Sequence, residues 1–193
     1  MKPTVALVVS ISLVSVMHAG QAQDAASLFA DTRKTTLPVL PRVAQAMQTA
    51  VQENGPVGAI PVCKEKAPQL LQEMRQQTGW SIRRVSLKTR NPATGTPDAW
   101  EVRQLADFDI QVANGAKPEQ LEVGEIVVAA DGRRSYRYLK ALPVAEVCLS
   151  CHGAADSLSA ELKAALARDY PQDRATGYVA GQVRGALTVI RPL

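Results

Sequence analysis

A single α+β domain with one antiparallel-type sheet is the fold this sequence predicts, on three observations. Helix-period apolar spacing dominates the stretch from Asp24 to Gln77. Short apolar runs punctuated by turn residues dominate the remainder. The chain has 193 residues without repeats or low-complexity tracts, and 46% of them are hydrophobic. That is enough for one domain with its own core and too little to suggest two.

The elements follow in chain order. Met1-Lys2 is a short positive start, an apolar stretch runs from about Val5 to Met17, and Gly20-Gln21-Ala22 offers a cleavage site. This is the layout of a secretory signal peptide over residues 1–22, too short and too serine-broken for a membrane anchor. No cysteine sits at the cleavage site, which argues against a lipoprotein. The domain then spans residues 23–193 and is expected in the periplasm. A formal charge of +4 on the whole chain points to neither nucleic acid nor a strongly acidic partner.

From Asp24 to about Gln52, Leu28, Phe29, Leu37, Leu40, Val43 and Met47 recur at helical spacing. Pro38 and Pro41 interrupt them, so a kinked helix or two helices are expected, ending at Asn54-Gly55-Pro56. A second helical stretch covers Ala59 to Gln77, with Leu70, Leu71 and Met74 on one side, and Thr78-Gly79 closes it. Trp80 to Lys88 reads as a strand whose phase slips at Arg83-Arg84, which predicts a bulge. After a loop over Asn91–Pro97, Asp98-Ala99-Trp100-Glu101 has capping-box spacing. It should open a helix carrying Trp100, Leu105, Phe108 and Val112 inward and stopping at Asn114-Gly115. Glu125–Ala130 and Arg133–Leu142 flank Asp131-Gly132, which predicts a hairpin with a two-residue turn. Leu158, Leu162, Leu166 and Tyr170 mark an amphipathic helix that stops at Pro171. Val183 to Ile190 is a final strand, with Val183, Leu187 and Val189 on one face.

Directly after the hairpin comes Cys148-Leu149-Ser150-Cys151-His152. Cys-x-x-Cys-His is the attachment signature of a c-type haem. Two thiols about one turn apart can each add to a vinyl group on one porphyrin edge, and the next residue offers an imidazole to the iron. A haem would also supply apolar bulk to a chain that is only 4% aromatic. A redox disulfide of the thioredoxin type would need a βαβ context that is missing here. Zinc could in principle use Cys63, Cys148, Cys151 and His152, although adjacent Cys151 and His152 make an awkward pair of ligands. With His18 in the leader, His152 is the sole histidine of the mature chain. A sixth ligand from this chain must then be Met47, Met74, Cys63 or a lysine. Both methionines lie on apolar helical faces, as core residues do. Cys63 is flanked by Lys64 and Lys66 near a helix start, which favours thiolate. Arg83, Arg84, Arg90 and Lys140 are candidate partners of haem propionates. Tyr136, Tyr138 and Tyr178 either wall the pocket or fill the core.

Several blocks together resemble the periplasmic haem-c sensor domains with a PAS-like fold. They are Cys63-Lys64-Glu65-Lys66-Ala67-Pro68, Gly79-Trp80, Arg84 with Ser86-Leu87-Lys88, Arg90-Asn91-Pro92 and Pro97 to Glu101. Tyr136-Arg137-Tyr138, Cys148 to Gly153, Tyr170-Pro171, Gly177-Tyr178 and Arg184-Gly185-Ala186 continue the series. The resemblance covers nearly all of the mature chain. It implies a PAS-like single antiparallel sheet with N-terminal helices alongside. It also implies one covalently attached haem c, with His152 on one side of the iron and Cys63 on the other. The role it implies is sensing of redox state or a diatomic gas, passed to a redox or signalling protein. A simple electron-transfer cytochrome is the alternative. An enzyme is not expected, because no second histidine remains for acid–base work.

Overall fold

The computed structural model describes residues 12–193, with side chains from Asp24 onward. Residues 1–11 of the expected leader lie outside the described residues. Among the described residues no helix is long and apolar enough to cross a membrane.

Two long helices open the domain, α1 (Ser12–Thr36) and α2 (Val39–Gly58). They part at Leu37-Pro38, where proline removes an amide donor and disfavours helical geometry in the residue before it. Pro41 lies in the first turn of α2, where no intrahelical bond is lost. Asn54-Gly55-Pro56 kinks α2 where the sequence predicts its end. Gly55 adopts φ 67° and ψ 179°, and a further short turn runs on to Gly58. That backbone region is open almost only to glycine. The single helix expected from Ala59 is two pieces. Val62–Lys66 forms a π-helical turn, in which the Ala67 amide reaches back five residues to the Val62 carbonyl, and α3 (Ala67–Thr78) follows.

One antiparallel sheet has the order β1-β4-β3-β2, from β1 (Ser81–Val85), β2 (Glu122–Val128), β3 (Arg134–Pro143) and β4 (Val183–Pro192). The bulge expected at Arg83-Arg84 is absent, because β1 pairs with β4 in unbroken register from Ser81↔Ile190 to Val85↔Ala186. The apparent phase slip has another cause: both faces of the sheet are covered. Ile82 packs on one face with Tyr136, Tyr138, Leu187 and Val189, under α1 and α3. Val85 packs on the other with Leu139, Ala141 and Ala186, under α5 (Ala99–Ala113). The register does shift between Leu142 and Pro143. Val183 consequently belongs to the α5 face, not to the face of Leu187 and Val189. The hairpin is one residue longer than expected. The Gly132 amide donates to the Ala129 carbonyl and the Ala129 amide to the Arg133 carbonyl, so the loop is Ala130–Gly132. The Asp131 carboxylate accepts from the Arg133 amide at 3.1 Å and draws the extra residue into the turn.

The capping box at α5 is formed in full. The Asp98 carboxylate accepts from the Glu101 amide at 2.9 Å, and the Asp98 amide donates to the Glu101 carboxylate at 2.8 Å. Glu101 is fully buried and also receives Arg83, Arg137 and the Thr188 hydroxyl. The loop before it holds one short turn, α4 (Pro92–Gly95). Two more helices complete the domain, α6 (Glu146–His152) and α7 (Ala160–Asp169). As the spacing predicts, Leu158, Leu162, Leu166 and Tyr170 are buried. The result is a mixed domain with one sheet and helices on both faces, PAS-like in architecture.

Candidate cofactor pocket

The pocket lies beside the sheet, where α6 meets the end of α2 and α7. Helical spacing puts Cys148 and Cys151 on neighbouring turns. Cys148 packs towards Val144, Ala175 and Tyr178, whereas Cys151 packs towards Ile60, Leu158 and Leu162. The end of α6 is tied down by its backbone: the Tyr178 amide donates to the His152 carbonyl at 2.9 Å, and the Gly177 amide to the Gly153 carbonyl at 2.7 Å.

Those contacts fix His152. Its Nδ1 lies 2.6 Å from the Ala175 carbonyl oxygen, an acceptor only, so Nδ1 carries the proton. The lone pair is left on Nε2, whose neighbour is Nε of Arg184 at 3.4 Å. Burial, reinforced by the Arg184 and Arg90 charges, pushes the imidazole pKa down to about 2 against the Ala175 hydrogen bond. His152 is neutral at any working pH, the form that binds a metal.

Cys63 comes to the same place from the π-helical turn. The pocket is lined by Met47, Cys63, Arg90, Cys148, Cys151 and His152, with apolar side chains of α2 and α7 between them. All three cysteines are free thiols. Burial raises the Cys151 thiol pKa against the pull of Arg90. Lys64 is engaged elsewhere, 2.7 Å from Asp169 at the end of α7, so this ion pair straps the Cys63 turn to α7. The space between these side chains is about 20 Å³.

The other expected partners divide cleanly. Arg90 is at the pocket, donating to the Cys151 carbonyl at 2.6 Å and paired with Asp173 at 3.0 Å. Arg84 reaches the Cys63 carbonyl at 3.4 Å. Arg83 turns away to Glu101, and Lys140 donates to the Glu119 carbonyl at 2.6 Å. Tyr136 and Tyr138 are core residues under α1, but Tyr178 sets its ring edge-to-face with His152, centroids 6.2 Å apart. Met74 packs in the α3 core, away from the pocket, whereas Met47 is in the pocket wall. Among the described residues no three His, Cys, Asp or Glu side chains gather closely enough for one metal ion, so the zinc arrangement is not assembled. Spacing alone gave no signal for Arg184, which the β4 start brings to His152.

The donor set suits covalent attachment of a porphyrin: two reduced thiols one turn apart, a neutral imidazole with a free lone pair on Nε2, and a third thiol in the same wall. Fold and site together define a PAS-like α+β domain with a thiol–imidazole pocket. The chain belongs to the Tll0287-like family, whose model (Tll0287) matches residues 18–192. Among solved structures, the crystal structure of the cyanobacterial heme-protein Tll0287 shares the fold, with a TM-score of 0.55 at 24% identity. The match covers 81% of this chain and 96% of that one. No curated protein matches the sequence.

Proposed function

We propose that this chain is an extracytoplasmic single-haem protein of the c type that senses redox state or a diatomic gas. Cys148 and Cys151 hold the porphyrin edge, each S–H adding across a vinyl C=C, so no oxidant is needed. His152 gives its Nε2 to one side of the iron and Cys63 its sulfur to the other. One observation carries the reading: Cys63, remote in sequence, lines the same pocket wall as Cys148, Cys151 and His152. That the family match extends over nearly the whole chain and that Tll0287 is named a heme-protein support it. When bound, haem supplies a one-electron couple and an exchangeable axial position.

The chain's part in sensing rests on Cys63. An anionic sulfur is held best by ferric iron. With a haem bound, Cys63 would be the side chain free to bind or leave the iron as its charge changes. The π-helical turn and the Lys64–Asp169 strap carry that movement to α7. Met47 in the same wall supports a second reading, a His/Met electron carrier with fixed ligation.

Carbon monoxide titration of the loaded protein separates the two. The sensor reading expects ferrous protein to take carbon monoxide and ferric protein to keep sulfur ligation. Cys63→Met should raise the potential by on the order of 100 mV, within the roughly 0.8 V that axial ligands span. Cys63→Ala should give a ferric spectrum without sulfur. A ferrous form that stays six-coordinate, with a spectrum altered by Met47→Leu and untouched by either Cys63 change, establishes the carrier instead. Denatured wild-type protein that releases its pigment, or carries none, removes the c-type assignment.

A further inference from the structure

Arg90 in the pocket wall and Arg84 and Arg184 beside it all place positive charge on His152. Among the described residues only Arg90 of the three has a carboxylate partner, Asp173 at 3.0 Å. Among the described residues Arg184 meets neutral groups alone. Its Nη1 donates to the Ser86 hydroxyl at 2.9 Å and the Lys88 carbonyl at 3.2 Å, its Nε approaches His152, and its plane lies 5.4 Å from the Tyr178 ring. The second terminal nitrogen has no partner among the described residues. Arg84 has a single long bond, to the Cys63 carbonyl. A guanidinium carries five donors in a planar fork that matches a carboxylate, so most of the capacity of these two forks is unused. Burial, with Arg90 and Arg84 nearby, lowers the pKa of Arg184 although Tyr178 opposes it.

The backbone holds this arrangement in place. Gly185 has φ 156°, and a side chain there would run into the Val85 carbonyl. Only glycine lets β4 come this close to β1, which sets Arg184 against Ser86 and Lys88. Arg84 stands on the partner strand, opposite Leu187. Two open guanidiniums on paired strands, flanking the imidazole, suit a ligand with two carboxylates.

We infer that Arg84 and Arg184 are the propionate-binding pair of this pocket, and that Arg184 leaves His152 to take its carboxylate. The inference rests on the haem reading and adds the orientation of the group within the site. An iron and an N–H donor cannot share one lone pair, so loading of the site frees Arg184. Its unused donors then meet a charged acceptor, a stronger hydrogen bond than any it makes to Ser86 or Lys88.

The test uses the full haem-loaded protein and its reduction potential as a function of pH. Arg184→Gln and Arg84→Gln each remove a cation near the iron, which favours the ferric form. By Coulomb's law in a medium of protein-like dielectric that is about tenfold, or about 59 mV downward for one electron. The pH at which the potential inflects should move up, because a propionate without its cation holds its proton longer. The propionate bending band in the resonance Raman spectrum should shift in the same variants. Arg184→Lys should fall between. Arg103→Gln, which removes an exposed charge on α5, should leave potential and band at wild-type values. Wild-type potential, inflection and band in loaded Arg184→Gln and Arg84→Gln overturn the inference while leaving the haem reading intact. If Arg184→Gln fails to load, Arg184→Lys and Arg84→Gln decide on the same terms. A wild-type protein without a pyridine haemochrome signal overturns both.

Discussion

Tyr138 and Cys63 stand for two kinds of packing in this domain. Tyr138 is wholly buried in a regular antiparallel sheet whose strands pair residue by residue and whose faces are both covered by helices. Cys63 is half-buried in a π-helical turn that follows a kink at Gly55 and precedes a second helix. In the first region each side chain has neighbours from several elements, and each fully buried aliphatic contributes about 1.5–3 kcal/mol. In the second, the chain departs from regular helix twice within a dozen residues, and π-helical turns of this kind are frequent at functional sites. The lesson is one of division of labour. Backbone bonds from the Tyr178 amide and to the Ala175 carbonyl fix His152, the β4 start fixes Arg184, and Cys63 stands in the irregular wall.

The comparison breaks first at Glu101, if it breaks at all. This carboxylate is buried between Arg83 at 2.6 Å and Arg137 at 3.2 Å and accepts from Thr188 at 2.7 Å. Glu101→Ala leaves Arg83 without its acid and Arg137 with Asp98 alone, a loss of about 3–5 kcal/mol. Urea unfolding should show that loss. The fraction that remains folded should keep the wild-type haem spectrum, because Glu101 lies on the α5 side of the sheet. A changed spectrum in folded Glu101→Ala would mean that sheet and wall are not separable.

The same division explains how far the sequence could be read. Local rules succeeded wherever one short-range interaction decides the outcome. The capping box at Asp98–Glu101, the break at Leu37-Pro38 and the stripe of Leu158, Leu162, Leu166 and Tyr170 are examples. They failed where a distant element decides. A sheet covered on both faces makes Ile82 and Val85 look out of phase, so a bulge was expected at Arg83-Arg84. The real irregularity, at Leu142/Pro143, moved Val183 to the other face and left no pattern to find. The pocket was half legible. Cys148, Cys151 and His152 declare themselves by spacing, whereas Cys63 is one of several candidates until the resemblance singles it out. Arg184 carries no signal of its own in the sequence, because its place depends on β4 lying against β1 at Gly185. Arg83 and Lys140 fit by charge but are held elsewhere, Arg83 by Glu101 on the α5 face and Lys140 by the Glu119 carbonyl.

Gly55 sharpens the comparison from the wall side. An added side chain there meets nothing within 4 Å, so space is not the constraint. Its backbone conformation is, at about 1–3 kcal/mol for a residue with a side chain. Gly55→Ala should therefore straighten the kink or weaken the wall. Hydrogen exchange should rise over residues 55–66 and stay at wild-type rates in β3 and β4. Faster exchange in the sheet as well would show that the kink supports the whole core.

The smallest effect belongs to Asp98, and it is a matter of pH. Burial raises its pKa, but bonds from Arg137 and the Glu101 amide, together with the Arg137 charge, outweigh burial and hold the carboxyl below its ordinary value of 3.8. A carboxyl depressed in the folded state stabilises the fold above its unfolded pKa. That contribution disappears as pH falls through the folded pKa, because the folded state must then take up the proton as well. Asp98→Asn keeps an N-cap that is nearly as good, so only the charge is lost. Asp98 is 42% exposed and its pair with Arg137 is partly screened, so the expected difference at pH 7 is about 0.5 kcal/mol. Urea midpoints of wild type and Asp98→Asn should differ by that amount at pH 7 and converge as pH falls below the ordinary carboxylate range and through the lowered folded pKa. A gap that persists below the folded pKa would assign the effect to the shape of the cap rather than its charge. The charge that ties Arg137 of β3 to α5 would then be that of Glu101.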